Sequence, residues 1–259
     1  MQSRINITIF ILIKNYKTNT MKSKIHELKN LKTNTLNKSI YLFISILVIG
    51  IMSCKKEDTT PKEFPPVDID GNVYDTIRIG TQVWMKQNLR TTRYNDGTTI
   101  PNIADNTEWI NDSLGAYSFY NHDASNDSVY GKLYNWYAVN TGKLAPSGWH
   151  VPDSSELQSL IDFLGGKDVA GGALKATTLW NSPNTGATNS SGFTWYPAGN
   201  RYGFNGVFVN FGFNGFAWTS SEVSTIDARL YNLGTYIGTG ILKTYNLKSS
   251  GCSVRCLKD

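Results

Sequence analysis

The chain predicts an α+β domain, with helices early and a twisted antiparallel sheet late. Three observations carry this reading. Residues 72–79 and 82–89 are strand-like and flank Gly80-Thr81, a two-residue turn signal for a hairpin. Asp153 with Glu156 three positions on forms an N-capping box ahead of Leu157, Leu160, Ile161 and Leu164, one apolar helical face stopped by Gly165-Gly166. Beyond Gly192 the chain turns into aromatic strands punctuated by glycine. These include Gly203-Phe204-Asn205-Gly206 and Gly212-Phe213-Asn214-Gly215, in which each Asn-Gly suits a tight turn. A second helix is expected over 131–140, where Leu133, Trp136 and Tyr137 share a face.

Ahead of this domain lies an address. Lys38 precedes thirteen apolar residues, Ile40 to Met52, closed by Ser53 and Cys54. Thirteen residues make roughly 20 Å of helix, short of the roughly 30 Å hydrocarbon core that a permanent span must cross. The segment 1–53 therefore reads as a signal peptide, with Met21 as an alternative start after a first apolar patch at Ile7 to Ile13. Ile51-Met52-Ser53-Cys54 resembles a lipobox, which implies cleavage before Cys54 and its acylation. Two or more acyl chains, at roughly 0.8 kcal/mol per buried methylene, hold a protein stably on a membrane.

Residues 55–66, with three prolines and six charges, bury too little apolar surface to fold and read as a tether of roughly 20 Å. Lys55-Lys56-Glu57-Asp58 resembles the surface-export signal of some Gram-negative lipoproteins; the alternative is a solvated tether. The expected location is the outer membrane or cell surface. Segment 1–54 holds eight of the 25 Lys and Arg and one of the 20 acids, Glu27, which leaves 17 basic and 19 acidic residues beyond it, net −2. The basic charge of the whole chain belongs to the leader, so no electrostatic case for a nucleic-acid partner remains.

Residues 67–259 form one domain holding all seven tryptophans. Five blocks in it carry a family resemblance. They are Ile77-Arg78-Ile79-Gly80-Thr81-Gln82-Val83-Trp84-Met85, Asn88-Leu89, Gly131-Lys132-Leu133-Tyr134-Asn135-Trp136-Tyr137-Ala138-Val139, Leu144-Ala145-Pro146-Ser147-Gly148-Trp149-His150-Val151-Pro152 and Ser253-Val254-Arg255-Cys256-Leu257-Lys258-Asp259. In this order they resemble the Fibrobacter succinogenes major paralogous domain, which implies secreted or surface lipoproteins with no assigned activity. The Gly-Trp-His-Val-Pro block before a capped helix, and the terminal Val-Arg-Cys strand, also resemble the formylglycine-generating branch of the C-type lectin fold.

Catalysis finds few residues to work with. The oxidising members of that branch use a cysteine pair upstream of the Arg-Cys strand, and residues 219–251 contain no cysteine. Cys252 and Cys256, four residues apart along a strand, would sit about 13 Å apart against a disulfide limit of about 7 Å. Cys256 reads as a buried core thiol, while Cys252 stays open between buried, free and bridged. The domain has two histidines, His122 and His150, and no Gly-x-Ser-x-Gly elbow. His150 reads as a hydrogen-bonded structural imidazole. Glu108, Glu222 and Asp227 are free acids that nothing pairs into a glycosidase dyad. Asn121-His122-Asp123-Ala124-Ser125-Asn126-Asp127 lacks calcium-loop spacing and reads as a polar surface loop. The expectation is no enzyme, no metal and no cofactor; the alternatives to a binding module are a structural or protein-binding adhesin or spacer and a divergent enzyme of the formylglycine-generating type.

The composition favours recognition. Tyr, Trp, Asn, Ser and Gly give amphipathic contact area at low entropic cost, and sugars stack their C–H faces on such rings. Trp84, Trp136 and Trp149 sit in apolar blocks and are expected in the core. The surface candidates are Asn200, Arg201, Asn214, Trp218, Glu222 and Arg229 in the glycine-rich segment, with Arg201 and Glu222 as a possible ion pair. Expected partners are the membrane, through the lipid on Cys54, and extracellular glycans or envelope proteins.

Overall fold

The structure is a computed structural model in which residues 65–259 are described. The signal peptide, Cys54 and the tether up to residue 64 lie outside the described residues.

The expected hairpin is present as β1 (Thr76–Ile79) and β2 (Gln82–Met85), antiparallel with Ile79 opposite Gln82. Gly80 takes φ +60°, which the two-residue turn requires and a glycine adopts without strain. The strands are shorter than the pattern over 72–89, because Met85 and Leu89 turn their amides to the terminal segment instead: Met85 N–H donates to Cys256 O (3.1 Å) and Leu89 N–H to Val254 O (2.8 Å).

Helix α1 (Asn106–Asn111) was not expected; Asp105 caps it by accepting from Glu108 N–H at 2.8 Å. After β3 (Tyr117–Ser118) comes α2 (Asp127–Tyr130), and segment 131–140 then departs from prediction. Its first part is a strand, β4 (Leu133–Tyr134), paired to β3, and only Trp136–Asn140 is helical (α3). Asn135 explains the break. Its Oδ1 accepts from Ala138 N–H (3.1 Å), capping α3, and from Ala116 N–H (3.0 Å), so the helix starts after it.

β5 (Trp149–His150) leads into α4 (Ser154–Phe163), where the predicted capping box is complete. Asp153 Oδ1 accepts from Glu156 N–H (2.8 Å), and Glu156 Oε2 accepts from Asp153 N–H (2.8 Å). Leu157, Leu160 and Ile161 are buried, and a short α5 (Ala170–Leu174) follows.

The glycine-rich half forms β6 (Asn200–Arg201) and β7 (Phe208–Val209), then β8 (Asn214–Glu222), β9 (Asp227–Gly234) and β10 (Leu242–Leu247) in the antiparallel order β10-β9-β8. The two near-duplicate motifs are not equivalent. Asn205-Gly206 lies in the turn between β6 and β7, with Gly206 N–H donating to Tyr202 O at 2.8 Å. Asn214-Gly215 instead opens β8, and its turn precedes it, with Asn210 at φ +67° accepting from Phe213 N–H. Gly215 serves close packing, since a Cβ there would meet the Trp195 ring at 2.7 Å.

β11 (Leu257–Lys258) closes a mixed-origin sheet in the order β1-β2-β11-β5, with Leu257 opposite both Trp84 and His150. The whole is α+β, as expected. Residues 250–257 are all buried, so the Cys252, Val254, Cys256 alternation marks a segment covered on both sides, with strand proper confined to 257–258. Cys252 and Cys256 are free thiols at 0 % exposure, and burial pushes both thiols above their ordinary pKa. Trp84, Trp136 and Trp218 are core residues, and half-buried Trp149 packs against the same core as Trp136. No described helix is long and apolar enough to cross a membrane.

Candidate functional site

An open cleft of about 470 Å³ lies between α1, the loop 120–122 and the β6–β7 turn, lined by Asn106, Tyr120, Asn121, His122, Val207 and Phe208. Beneath it sits Arg201. β6 pairs Arg201 with Phe208, and the guanidinium lies 4.9 Å from the Phe208 ring and 4.4 Å from the Trp109 ring. It is fully buried, yet among the described residues it has no carboxylate partner. Nε donates to Gly206 O (2.8 Å), Nη1 to Ile103 O (2.6 Å), and Nη2 to Ala104 O (2.9 Å) and Asn106 Oδ1 (2.9 Å). Burial lowers its pKa to about 10, against the opposing pull of Asp105, so it stays charged at neutral pH. Arg201 thus ties the 103–106 segment to the 202–207 turn and shapes both walls of the cleft.

This clamp has a chemical consequence. Arginine only donates, so the Asn106 atom it contacts is the carbonyl oxygen, and the Asn106 amide NH₂ is the group left for the cleft. On the opposite wall Asn121 and His122 take positive φ (53° and 59°), and His122 meets the Phe208 ring edge-on at 4.8 Å. Burial, then the Arg201 charge, lowers the His122 pKa, which keeps the imidazole neutral at pH 7. Burial raises the Tyr120 phenol, although Phe211 N–H donates to it. The lining is thus aromatic and amide in character, and uncharged. Gly199 seats the Tyr120 ring: it takes φ +65°, and a Cβ there would meet Val209 O at 2.5 Å and Tyr120 Cε2 at 2.8 Å.

Of the residues singled out from sequence, few reach this cleft. Trp218 is 0 % exposed, its Nε1 donating to Tyr134 O at 2.9 Å, which corrects its assignment to the surface. Asn200 is buried as well, its Oδ1 accepting from Asn210 Nδ2 at 3.0 Å, and Arg201 is a buried clamp with no exposed face. The reason is shared: β6 is paired on one edge with β7 and bridged on the other to Gly251, and β8 lies between β9 and the Ser253 bridge, so Asn200, Arg201 and Trp218 sit in strands flanked on both edges. Asn214 is half-buried and donates across strands to Asn232 Oδ1 (3.1 Å). Arg229 is half-buried and reaches Thr244 O at 3.4 Å. Glu222 is exposed and pairs with Lys248 Nζ, which corrects the Arg201–Glu222 ion pair. The six do not converge on one site.

His150 is hydrogen-bonded on both nitrogens, Nδ1 to Asp259 Oδ1 (2.7 Å) and Nε2 to Glu156 Oε1 (3.0 Å), as a structural imidazole should be. Loop 121–127 is largely exposed, as expected of a polar surface loop. Among the described residues no group of three or more His, Cys, Asp or Glu is placed to hold a metal ion.

A family model described as the Fibrobacter succinogenes major domain matches residues 77–258, from the first hairpin through β11. The chain belongs to this family. Fibrobacter succinogenes major domains are surface-type domains without an assigned activity, and the five sequence blocks all fall within or at the edge of the match. Comparison with curated proteins and with solved structures gives no match. In this Fibrobacter succinogenes major domain the blocks build the frame: Trp84, Trp136 and Leu257 are core, and Arg255 is buried against the Phe193 ring at 4.4 Å. The cleft is built from the segments between the blocks. Tyr120, Phe208 and Asn106 escaped the sequence reading because nothing local separates an aromatic that faces solvent from one that fills the core. Phe208 did lie in the segment flagged for its glycines, the one signal available.

Proposed function

We propose that this protein is a lipid-anchored envelope protein, held by Cys54 at the outer membrane or cell surface, whose aromatic cleft binds glycans without catalysis. The observation that carries the reading is the cleft itself: Tyr120 and Phe208 rings beside the amides of Asn106 and Asn121, with no charged side chain in its lining. Aromatic faces take the C–H side of a sugar, and the fixed Asn106 NH₂ donates to a hydroxyl. The domain is read as lectin-like in fold, because the Trp-His strand β5, the capped helix α4 and the terminal strand β11 pack as one unit in which β5 and β11 pair. A non-catalytic role is supported by the burial of both thiols and by the engagement of His150 with two carboxylates. A protein-binding or spacer role is the second reading, favoured by the exposed Phe204 (81 %) and Tyr236 (79 %), which suit a protein contact.

A glycan array probed with the wild-type chain and with Phe208→Ala tests this. Signal on a defined set of sugars, lost in Phe208→Ala while circular dichroism is unchanged, is the expected result. An array blank for the wild type overturns the glycan reading in favour of the protein-binding one. Trp218→Ala is unsuitable as a probe, since it deletes a fully buried ring at a cost of about 3 to 5 kcal/mol.

A further inference from the structure

The cleft is one end of a longer feature. Phe208 contacts His122 on one side and Tyr120 on the other (5.3 Å between ring centroids). Tyr120 stacks on Phe211 (4.5 Å), Phe211 meets Tyr130 (4.6 Å), and Tyr130 meets Tyr196 (6.3 Å). Six rings thus follow one another in series; His122 is exposed and the other five are half-buried, so each keeps part of its surface in solvent. Each step, from 4.5 to 6.3 Å between ring centroids, is close to the length of one pyranose unit.

The rings do not share a plane. Successive interplanar angles are 88°, 61°, 30°, 57° and 72°. The flat face of a crystalline polysaccharide would touch one or two of them and miss the rest, whereas a free chain can rotate about its glycosidic bonds to follow the twist. Tyr120, in the middle of the series, is seated against Gly199, so little of its side-chain freedom is lost on binding. Its contacts are spread over the exposed parts of six residues, the arrangement in which affinity grows with the number of units engaged.

Resting on the glycan reading of the cleft, we infer that the site takes a single soluble polysaccharide chain lengthwise, from His122 and Phe208 along to Tyr130 and Tyr196. The ligand class is a neutral linear polysaccharide.

The test is isothermal titration of the full chain, in detergent, with β-1,4-linked gluco-, manno- and N-acetylglucosamine oligosaccharides of one to six units, beside pull-down on insoluble cellulose and chitin. Affinity for the series that binds should rise about tenfold or more from one unit to four or beyond. Tyr130→Ala should lower hexasaccharide affinity several-fold while leaving the disaccharide within about twofold, and a thermal melt confirms that it is folded; the wild-type length series stands without it. Equal affinity for one unit and six overturns the lengthwise inference and leaves the glycan reading intact, as does retention on the insoluble polymers alone. Absence of binding by every probe overturns both.

Discussion

Arg201 shows how much can rest on one side chain. Its guanidinium spans Gly206 O, Ile103 O, Ala104 O and Asn106 Oδ1, and lysine, with three donors at a single point, cannot reproduce that spread. Arg201→Lys should therefore leave buried carbonyls unsatisfied and lower unfolding free energy by about 2 to 5 kcal/mol, measured by urea denaturation. His150 acts with a different sign of dependence. Burial alone would lower its pKa, but hydrogen bonds to Asp259 and Glu156 outweigh that and raise it. A raised folded-state pKa contributes stability that is fully present below about pH 6.5 and is lost as pH climbs through the folded value. Urea midpoints of the wild type should fall between pH 6 and pH 9 relative to His150→Gln; parallel curves for the two proteins would contradict the assignment. Neither role was fully legible beforehand. His150 was expected to be hydrogen-bonded, but its partner Asp259 is 109 residues away, and Arg201 bonds residues 95 to 98 positions upstream. Sequence reading sees that Arg201 is polar, and assigns it to the surface for want of the distant partners that bury it.

Elements were more legible where their code is local. The α4 capping box and the Gly80-Thr81 hairpin each depend on groups within a few positions, and both are present. Asp153→Ala should cost about 1 kcal/mol, within a range of roughly 0.5 to 2, by removing the acceptor for Ser155 and Glu156 amides. The check is a urea curve, and Asp153→Asn should recover most of the loss. Segment 131–140 failed for the opposite reason. Leu133, Trp136 and Tyr137 keep helical spacing, yet β3 supplies Leu133 and Tyr134 with strand partners, and Asn135 spends its carbonyl on Ala116 as well as on the helix. Gly199→Ala tests an element junction: a Cβ driven against Val209 O and Tyr120, at φ +65°, should lower stability by more than about 1 kcal/mol, measured by urea denaturation.

At the scale of the whole molecule, the two cysteines report on global opening. Cys252 and Cys256 are fully buried, so in native buffer a thiol reagent should modify them no faster than the domain unfolds, with both sites labelling at one rate by mass spectrometry. Rapid modification of either would mean that the terminal segment detaches on its own. The α+β class was readable because composition and punctuation are properties of long stretches, while the pairing of β11 with β2 and β5 is not written in any window of sequence.

That pairing orders events during biosynthesis. Leu257 belongs midway in a sheet whose other strands were made up to 181 residues earlier, at Thr76, and no shorter nascent chain can supply it. Until the ribosome has added that leucine, a slot stands open between Trp84 and His150. Contacts so distant along the chain close slowly. The polypeptide accordingly cannot close this sheet until Leu257 has been made.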